Sequence, residues 1–232
     1  MTGALGQLWS RTLGVLYPAR CVGCGRFGEF LCEECVDSAP RASGSRCGRC
    51  WMPCGEMELC AACDRRLPAF AALRSAFSYE GLARSAVLAL KFQGVSALAP
   101  QMAQPMADAL ARWVPAIDVV VPVPLGWLRR RTRGYNQSAL LAREVCRSHG
   151  LSLETRALRR ARQTPPQTQQ PDADARRRNI EAAFVLGSRP VGGSVLLIDD
   201  VATTGATLDA CARVLLDGGA SKVLALTFAR ED

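Results

Sequence analysis

The 232-residue chain is short of histidine, lysine and long apolar runs. It has one histidine, His149, and only two lysines, Lys91 and Lys222, among 29 basic residues. No stretch approaches the ~18 apolar residues that cross a bilayer, so no membrane span is expected. His149 stands just before Gly150, where an expected helix end suits a capping role; that leaves no base for a serine or cysteine triad and excludes most hydrolases. Residues 1–17 are mildly apolar, with Leu5, Leu8, Trp9, Leu13 and Leu16 able to form one face. They lack a basic n-region and carry Arg11 within the apolar part, so the chain reads as cytoplasmic rather than secreted. Cysteine is scarce in the body: nine of 11 fall between Cys21 and Cys63, leaving only Cys146 and Cys211 elsewhere.

A content of 49% hydrophobic and 22% charged residues describes a globular chain, long enough for one ordinary domain and a small appendage. The formal charge is +8 and arginine dominates it. The guanidinium fork suits phosphate, so a polyanionic partner is allowed, although net charge alone does not establish nucleic-acid binding.

The clustered cysteines form four Cys-x-x-Cys pairs: Cys21 with Cys24, Cys32 with Cys35, Cys47 with Cys50, and Cys60 with Cys63. Two intervening residues let a tight turn aim both thiolates at one ion, and two such pairs complete a tetrahedral site. Neighbouring pairs predict one or two structural Zn²⁺ ions; crossed pairing, or Cys54 replacing a member of the second set, satisfies the same arithmetic. With every position filled by thiolate, no open position is left for catalysis. Residues 64–74 read as a linker, which divides the chain into a zinc module over 1–70 and an α/β domain over 71–232.

The most informative stretch of the body runs from Val195 to Leu208. Val195 to Ile198 predicts a strand buried on both faces and ending before Asp199 and Asp200. The small-residue loop Thr203-Thr204-Gly205-Ala206-Thr207 follows, then a helix with Thr207 as N-cap. Backbone N–H groups at such a helix start converge on an anion, and phosphate is the natural one. Two carboxylates beside it require hydroxyls or a metal ion, which a sugar phosphate with Mg²⁺ supplies. No Walker lysine follows the glycine, which sets aside a P-loop. A second unit runs from a strand at 117–123 into Arg129, Arg130, Arg131 and Arg133, and on to a helix from Gln137. Two such loops at strand ends would suit a ligand with phosphate at one end and pyrophosphate at the other. Further elements are expected at 73–79 (strand), 80–92 and 98–113 (helices), 151–158 and 222–228 (strands). A polar loop over 159–178 has the character of a lid.

The acid pair with its Thr-Thr-Gly loop resembles the signature of the type I phosphoribosyltransferases. Taken with the cysteine pairs, Leu90-Lys91-Phe92-Gln93-Gly94, Val121-Pro122-Val123-Pro124-Leu125, Arg133-Gly134-Tyr135-Asn136-Gln137, Thr164 with Gln167, and Arg178-Asn179, nearly the whole chain resembles the ComF family. That resemblance implies a type I phosphoribosyltransferase fold, a doubly wound and mainly parallel α/β sheet, behind a zinc ribbon. It further implies that Asp199 and Asp200 hold the ribose hydroxyls of phosphoribosyl pyrophosphate (PRPP) and that Thr203 to Thr207 cradle its 5′-phosphate. In such a site Arg131 and Arg133 would steady the departing pyrophosphate with Mg²⁺, and Lys91 would add a phosphate contact. The family is linked to uptake of transforming DNA as single strands, which makes single-stranded DNA and DNA-uptake proteins the implied partners. Residues 169–172 depart from the family pattern. A non-catalytic binding module is the competing reading, with Trp127 and Tyr135 stacking on bases.

Overall fold

A strand buried on both faces needs helices above and below it, and the chain supplies them. The computed structural model describes residues 19–113, 115–161 and 182–232. The Cys-rich segment carries two short helices, α1 (Glu33–Ser38) and α2 (Ala61–Arg65). The body follows with β1 (Ala72–Ser78), α3 (Gly81–Phe92), α4 (Ala99–Trp113) and β2 (Val119–Pro122). Next come α5 (Trp127–Arg133), α6 (Gln137–His149), β3 (Leu158–Arg160) and β4 (Phe184–Leu186). The chain then runs through β5 (Gly193–Ala202), α7 (Ala206–Asp217) and β6 (Ala220–Arg230). Thr164, Gln167, Arg178, Asn179, residues 169–172 and the amphipathic face before residue 18 lie outside the described residues.

Among those residues, β1, β6, β5 and β2 form one parallel sheet in that order, and β3 and β4 pair antiparallel beside it. Alternation along the central strands divides the core. Leu196, Ile198, Leu224 and Leu226 face a cluster with α3, α4 and α6, while Val195, Leu197, Val223 and Ala225 face α7 and the β3–β4 pair. All eight are at most 2% exposed, which explains why these strands read as continuous apolar runs.

Three expected boundaries move. Strand β5 does not stop at Ile198, because Asp199, Val201 and Ala202 continue to pair with Thr227, Ala229 and Arg230 of β6. The acids therefore project from a strand. Residues 151–158 form no strand of the sheet; Leu153 makes a single bridge to Val120, and Glu154 Oε1 then accepts the Arg156 N–H at 2.8 Å and turns the chain away. The arginine stretch is the short helix α5, closed by Gly134 in the left-handed region (φ +79°).

The stretch expected as a linker is built into the molecule. Asp64 and Arg65 end α2, Phe70 is 1% exposed in the core, and Ala72 already belongs to β1. Edge strand β1 would otherwise present unpaired backbone groups. The Cys-rich segment covers them: the Ser78 N–H donates to Pro40 O (2.9 Å), Ala42 N–H to Ala76 O (3.2 Å) and Leu73 N–H to Arg49 O (2.7 Å). Arg46 locks the arrangement with two contacts to the Asp232 carboxylate, at 2.5 and 2.9 Å, and one to Trp51 O at 3.1 Å.

Replacing Arg46 with Met leaves the Trp51 carbonyl without its donor and the Asp232 carboxylate with only the Ser78 hydroxyl at 3.1 Å. Hydrogen bonds to charged groups are each worth about 1.5–3 kcal/mol, so Arg46→Met should lower unfolding free energy by about that much in urea titration. Limited proteolysis should then cut within 41–66 before it cuts the sheet.

Candidate sugar-phosphate cleft and two thiolate clusters

Beyond Ala202 the chain must turn from strand to helix within three residues. Gly205 makes the turn in the left-handed region (φ +78°) and is itself the N-cap of α7, in place of Thr207. A Cβ there would meet Phe70 at an ordinary 3.6 Å, so conformation rather than space calls for glycine. Thr204 Oγ1 accepts the Ala206 N–H at 3.3 Å. The first-turn N–H groups of an α-helix have no intrahelical partner, and a phosphate oxygen can take them.

Asp199 and Asp200 stand side by side at the base of this turn, 9% and 2% exposed. Asp199 Oδ1 accepts from Ser138 Oγ (2.7 Å) and from the Asp200 N–H (2.9 Å). Burial pushes the Asp199 carboxyl up to about 7, with the neighbouring Asp200 charge adding to it and Lys91 opposing it. Lys91 Nζ lies 2.7 Å from Asp200 Oδ2. The contact is an ion pair and does not meet hydrogen-bond geometry.

These groups open into a cleft of about 370 Å³ whose walls carry Lys91, Arg129, Arg133 and Arg160, with Thr203 and Thr207 at its edge. Asp199 and Asp200 are the only carboxylates among the described residues lining it. Arg133 lies over the Phe92 ring (4.9 Å) and donates to Gln137 Oε1 (3.1 Å); burial holds its pKa below the usual arginine range. The structure thus brings Lys91, Arg133, Asp199, Asp200, Thr203 and Thr207 together on one cleft. Thr204, Gly205 and Ala206 complete the adjoining turn. Arg131 instead lies near the Trp127 ring (5.8 Å) and does not line the cleft, and neither does His149.

Ser138, Arg129 and Arg160 are among the lining residues to which sequence reading assigns no individual role. Helical spacing could have found Arg129, since positions 129 and 133 share a face of α5 that 131 does not. Asn136 sets the approach of α6: its side chain accepts the Ser138 N–H at 3.1 Å and donates to Val123 O at 3.0 Å. The Tyr135 hydroxyl is committed to the Leu90 carbonyl, so this ring is anchored at its polar end.

The eight paired cysteines form two groups by neighbouring pairs. Cys21, Cys24, Cys32 and Cys35 bring their sulfurs within 4.8 Å of one another, and so do Cys47, Cys50, Cys60 and Cys63. Four ligands at ~2.3 Å around a tetrahedral ion place sulfurs about 3.8 Å apart. Cys24 to Cys32 measures 3.7 Å and Cys50 to Cys60 3.5 Å, so both groups fit zinc. Cys54 belongs to neither; its sulfur contacts the Met57 carbonyl. Burial would raise Cys21 and Cys47, but backbone N–H donors outweigh it and bring each thiol down to about 6. Sharing protons with its neighbours pushes Cys35 up to about 12.

Fold and site together define an α/β protein of type I phosphoribosyltransferase fold behind two Cys₄ clusters. Residues 12–64 match the model of the double zinc ribbon domain. The DNA utilization protein YhgH of Salmonella typhi is 32% identical over 200 residues, covering 83% of this chain and 87% of the relative. Competence protein ComFC of Bacillus subtilis (strain 168) is 27% identical over 213 residues, covering 87% and 85%. The chain belongs to the ComF family. Among solved structures, purine phosphoribosyltransferase from Pyrococcus horikoshii Ot3 is similar at a TM-score of 0.34 and 17% identity, over 59% of this chain and 73% of that one. Family membership and strand order, rather than so distant a neighbour, carry the fold assignment.

Both groups have the donors and spacing for structural zinc, so metal analysis of the purified protein should return two zinc ions per chain. Chelation should then release the covering of β1: the Leu73 and Ser78 amides, bonded to Arg49 and Pro40, should lose their protection from hydrogen exchange.

Proposed function

We propose that this protein binds PRPP in the Asp199–Thr207 cleft and acts in the cytoplasm on single-stranded DNA during DNA uptake. The carrying observation is the pair of buried acids at the end of β5, set between an anion-accepting helix start and a wall of Lys91, Arg129, Arg133 and Arg160. One relative is named a competence protein and another a DNA utilization protein, and those names support the DNA side of the reading.

Backbone N–H groups of the 203–207 turn would hold the 5′-phosphate while Asp199 and Asp200 take the ribose hydroxyls. Asp199 arrives already oriented by Ser138. Arg133 and Arg129 would meet the pyrophosphate, and Lys91 would pass from its Asp200 contact to a phosphate oxygen as the ligand enters. Such a clamp stabilises charge on the departing group without a protein nucleophile, consistent with the shortage of histidine. Magnesium, when bound, neutralises the phosphate charge that these side chains do not; Asp199 and Asp200 are the hard oxygen donors placed to help hold it.

Helix α5 supports the DNA side of the reading. None of its residues is buried, and it exposes Trp127, Leu128, Arg129, Arg130 and Arg131 next to the cleft. A single strand lying there meets guanidinium charge and one free indole face.

Calorimetric titration separates the two components. PRPP should bind saturably, only with magnesium, and at least tenfold more weakly in Asp200→Ala, about 1.4 kcal/mol or more. Single-strand affinity should survive that substitution, fall steeply with salt, and weaken when Arg130 and Arg131 become Gln. Saturable PRPP binding that is unchanged in Asp200→Ala would remove the cleft from the reading.

A further inference from the structure

Arg230, the last residue of β6, is 2% exposed. A guanidinium does not shed its proton in a protein, so a buried one must be met by acceptors or by negative charge. Arg230 has one hydrogen-bond acceptor from the sugar-phosphate turn: its Nη1 donates to the Thr203 carbonyl. Its Nε has no hydrogen-bond partner. Beyond Thr203 it faces negative charge. Cys50 and Cys60 of the second thiolate cluster act on it favourably, together with Asp232, against a burial penalty that lowers its pKa and the opposing charge of Arg46. Cys50, Cys63, Phe70, Thr203, Gly205 and Arg230 all border one cleft of about 460 Å³ between that cluster and the back of the turn.

Four thiolates around one divalent zinc leave a cluster with a net charge of −2, and a buried cation beside it offsets that charge. We propose that Arg230 is a positioning residue for the sugar-phosphate turn, held in place by the charge of the second zinc cluster and holding in turn the Thr203 carbonyl. The second cluster therefore supports the turn and the first does not. A parallel link runs through the backbone: α2 carries Cys63, the chain leads on to Ala69 and Phe70, the Ala69 N–H donates to Asp209 Oδ1 in the first turn of α7 (2.6 Å), and Phe70 underlies Gly205. The first cluster lies on the other side of the sheet, where Val22, Phe30, Cys35 and Val36 pack against the core of α3 and α4.

Its bearing on ligand binding rests on the proposed PRPP reading; the coupling itself does not. The test uses the full-length, zinc-loaded chain and compares wild type with Arg230→Gln, Arg230→Lys, Cys60→Ser and Cys32→Ser. It reads hydrogen exchange of the 203–208 amides, zinc release to a colorimetric chelator, and PRPP titration. Arg230→Gln and Cys60→Ser should speed exchange of the turn at least fivefold. Cys32→Ser should leave it within twofold of wild type. Zinc release should accelerate in Arg230→Gln and recover in part in Arg230→Lys, which keeps the charge. Unchanged exchange in Arg230→Gln, or an equal response to Cys32→Ser and Cys60→Ser, overturns the proposal. If Arg230→Gln does not fold, the two cysteine variants and Arg230→Lys decide it by the same readings. Absence of PRPP binding by wild type would defeat the proposed function, while the exchange comparison would still decide the coupling.

Discussion

Two carboxylates buried side by side repel each other and lose their hydration, and the surroundings of Asp199 and Asp200 are organised around that cost. Ser138 from α6 and the Asp200 amide satisfy one acid, and Lys91 from the end of α3 faces the other. Ser138 and Lys91 come from helices packed on one face of the sheet, so the acids are fully held only when that face is assembled. The walls beyond them, Arg129, Arg133 and Arg160, are cationic. These cations face one another across the cleft, and a bound polyanion would relieve the repulsion among them, whereas the acids beside it would need hydroxyls or a metal ion.

The parallel sheet determines where this happens. Strand β5 reaches farther than its apolar run because β6 continues beside it to Arg230, and the extra residues carry the acids to the carboxyl end. The same extension delivers Arg230 and Asp232 to the zinc module, Asp232 to Arg46 and Arg230 to the neighbourhood of Cys50 and Cys60. One strand pair thus fixes both the cleft and the docking of the module.

Features encoded by contiguous residues were legible in the sequence. Cysteine spacing states its own ligand geometry, and the apolar run, acids, small-residue turn and helix of 195–216 lie in unbroken order. The strand end was misread because hydropathy registers burial, whereas Asp199 stays in the strand through backbone pairing with Thr227. Arg160 and Ser138 carried no local signal; each reaches the cleft through tertiary packing. Arg131 and Arg129 differ only in helical phase, which matters once 127–133 is a helix rather than a loop. The covering of β1 was also invisible, because Pro40, Ala42 and Arg49 pair with the strand through backbone groups.

The two ribbons differ at one equivalent position. In the first, Gly25 follows the Cys21/Cys24 pair with φ +76°; in the second, Trp51 follows Cys47/Cys50 and adopts φ +64°. A left-handed conformation costs a side-chain-bearing residue roughly 1–2 kcal/mol, so the indole must return more than that. Its Nε1 donates to Ala42 O (2.9 Å), its carbonyl accepts from Arg46 (3.1 Å), and Arg74 of β1 stacks on its ring at 4.0 Å. Each of those contacts fastens the second ribbon to itself or to the sheet edge. Gly25 has nothing within 4 Å of where a Cβ would stand. The strain at Trp51 is therefore specific to the ribbon that covers β1 and borders the 203–206 turn, where the indole and its backbone fasten the ribbon to the sheet edge.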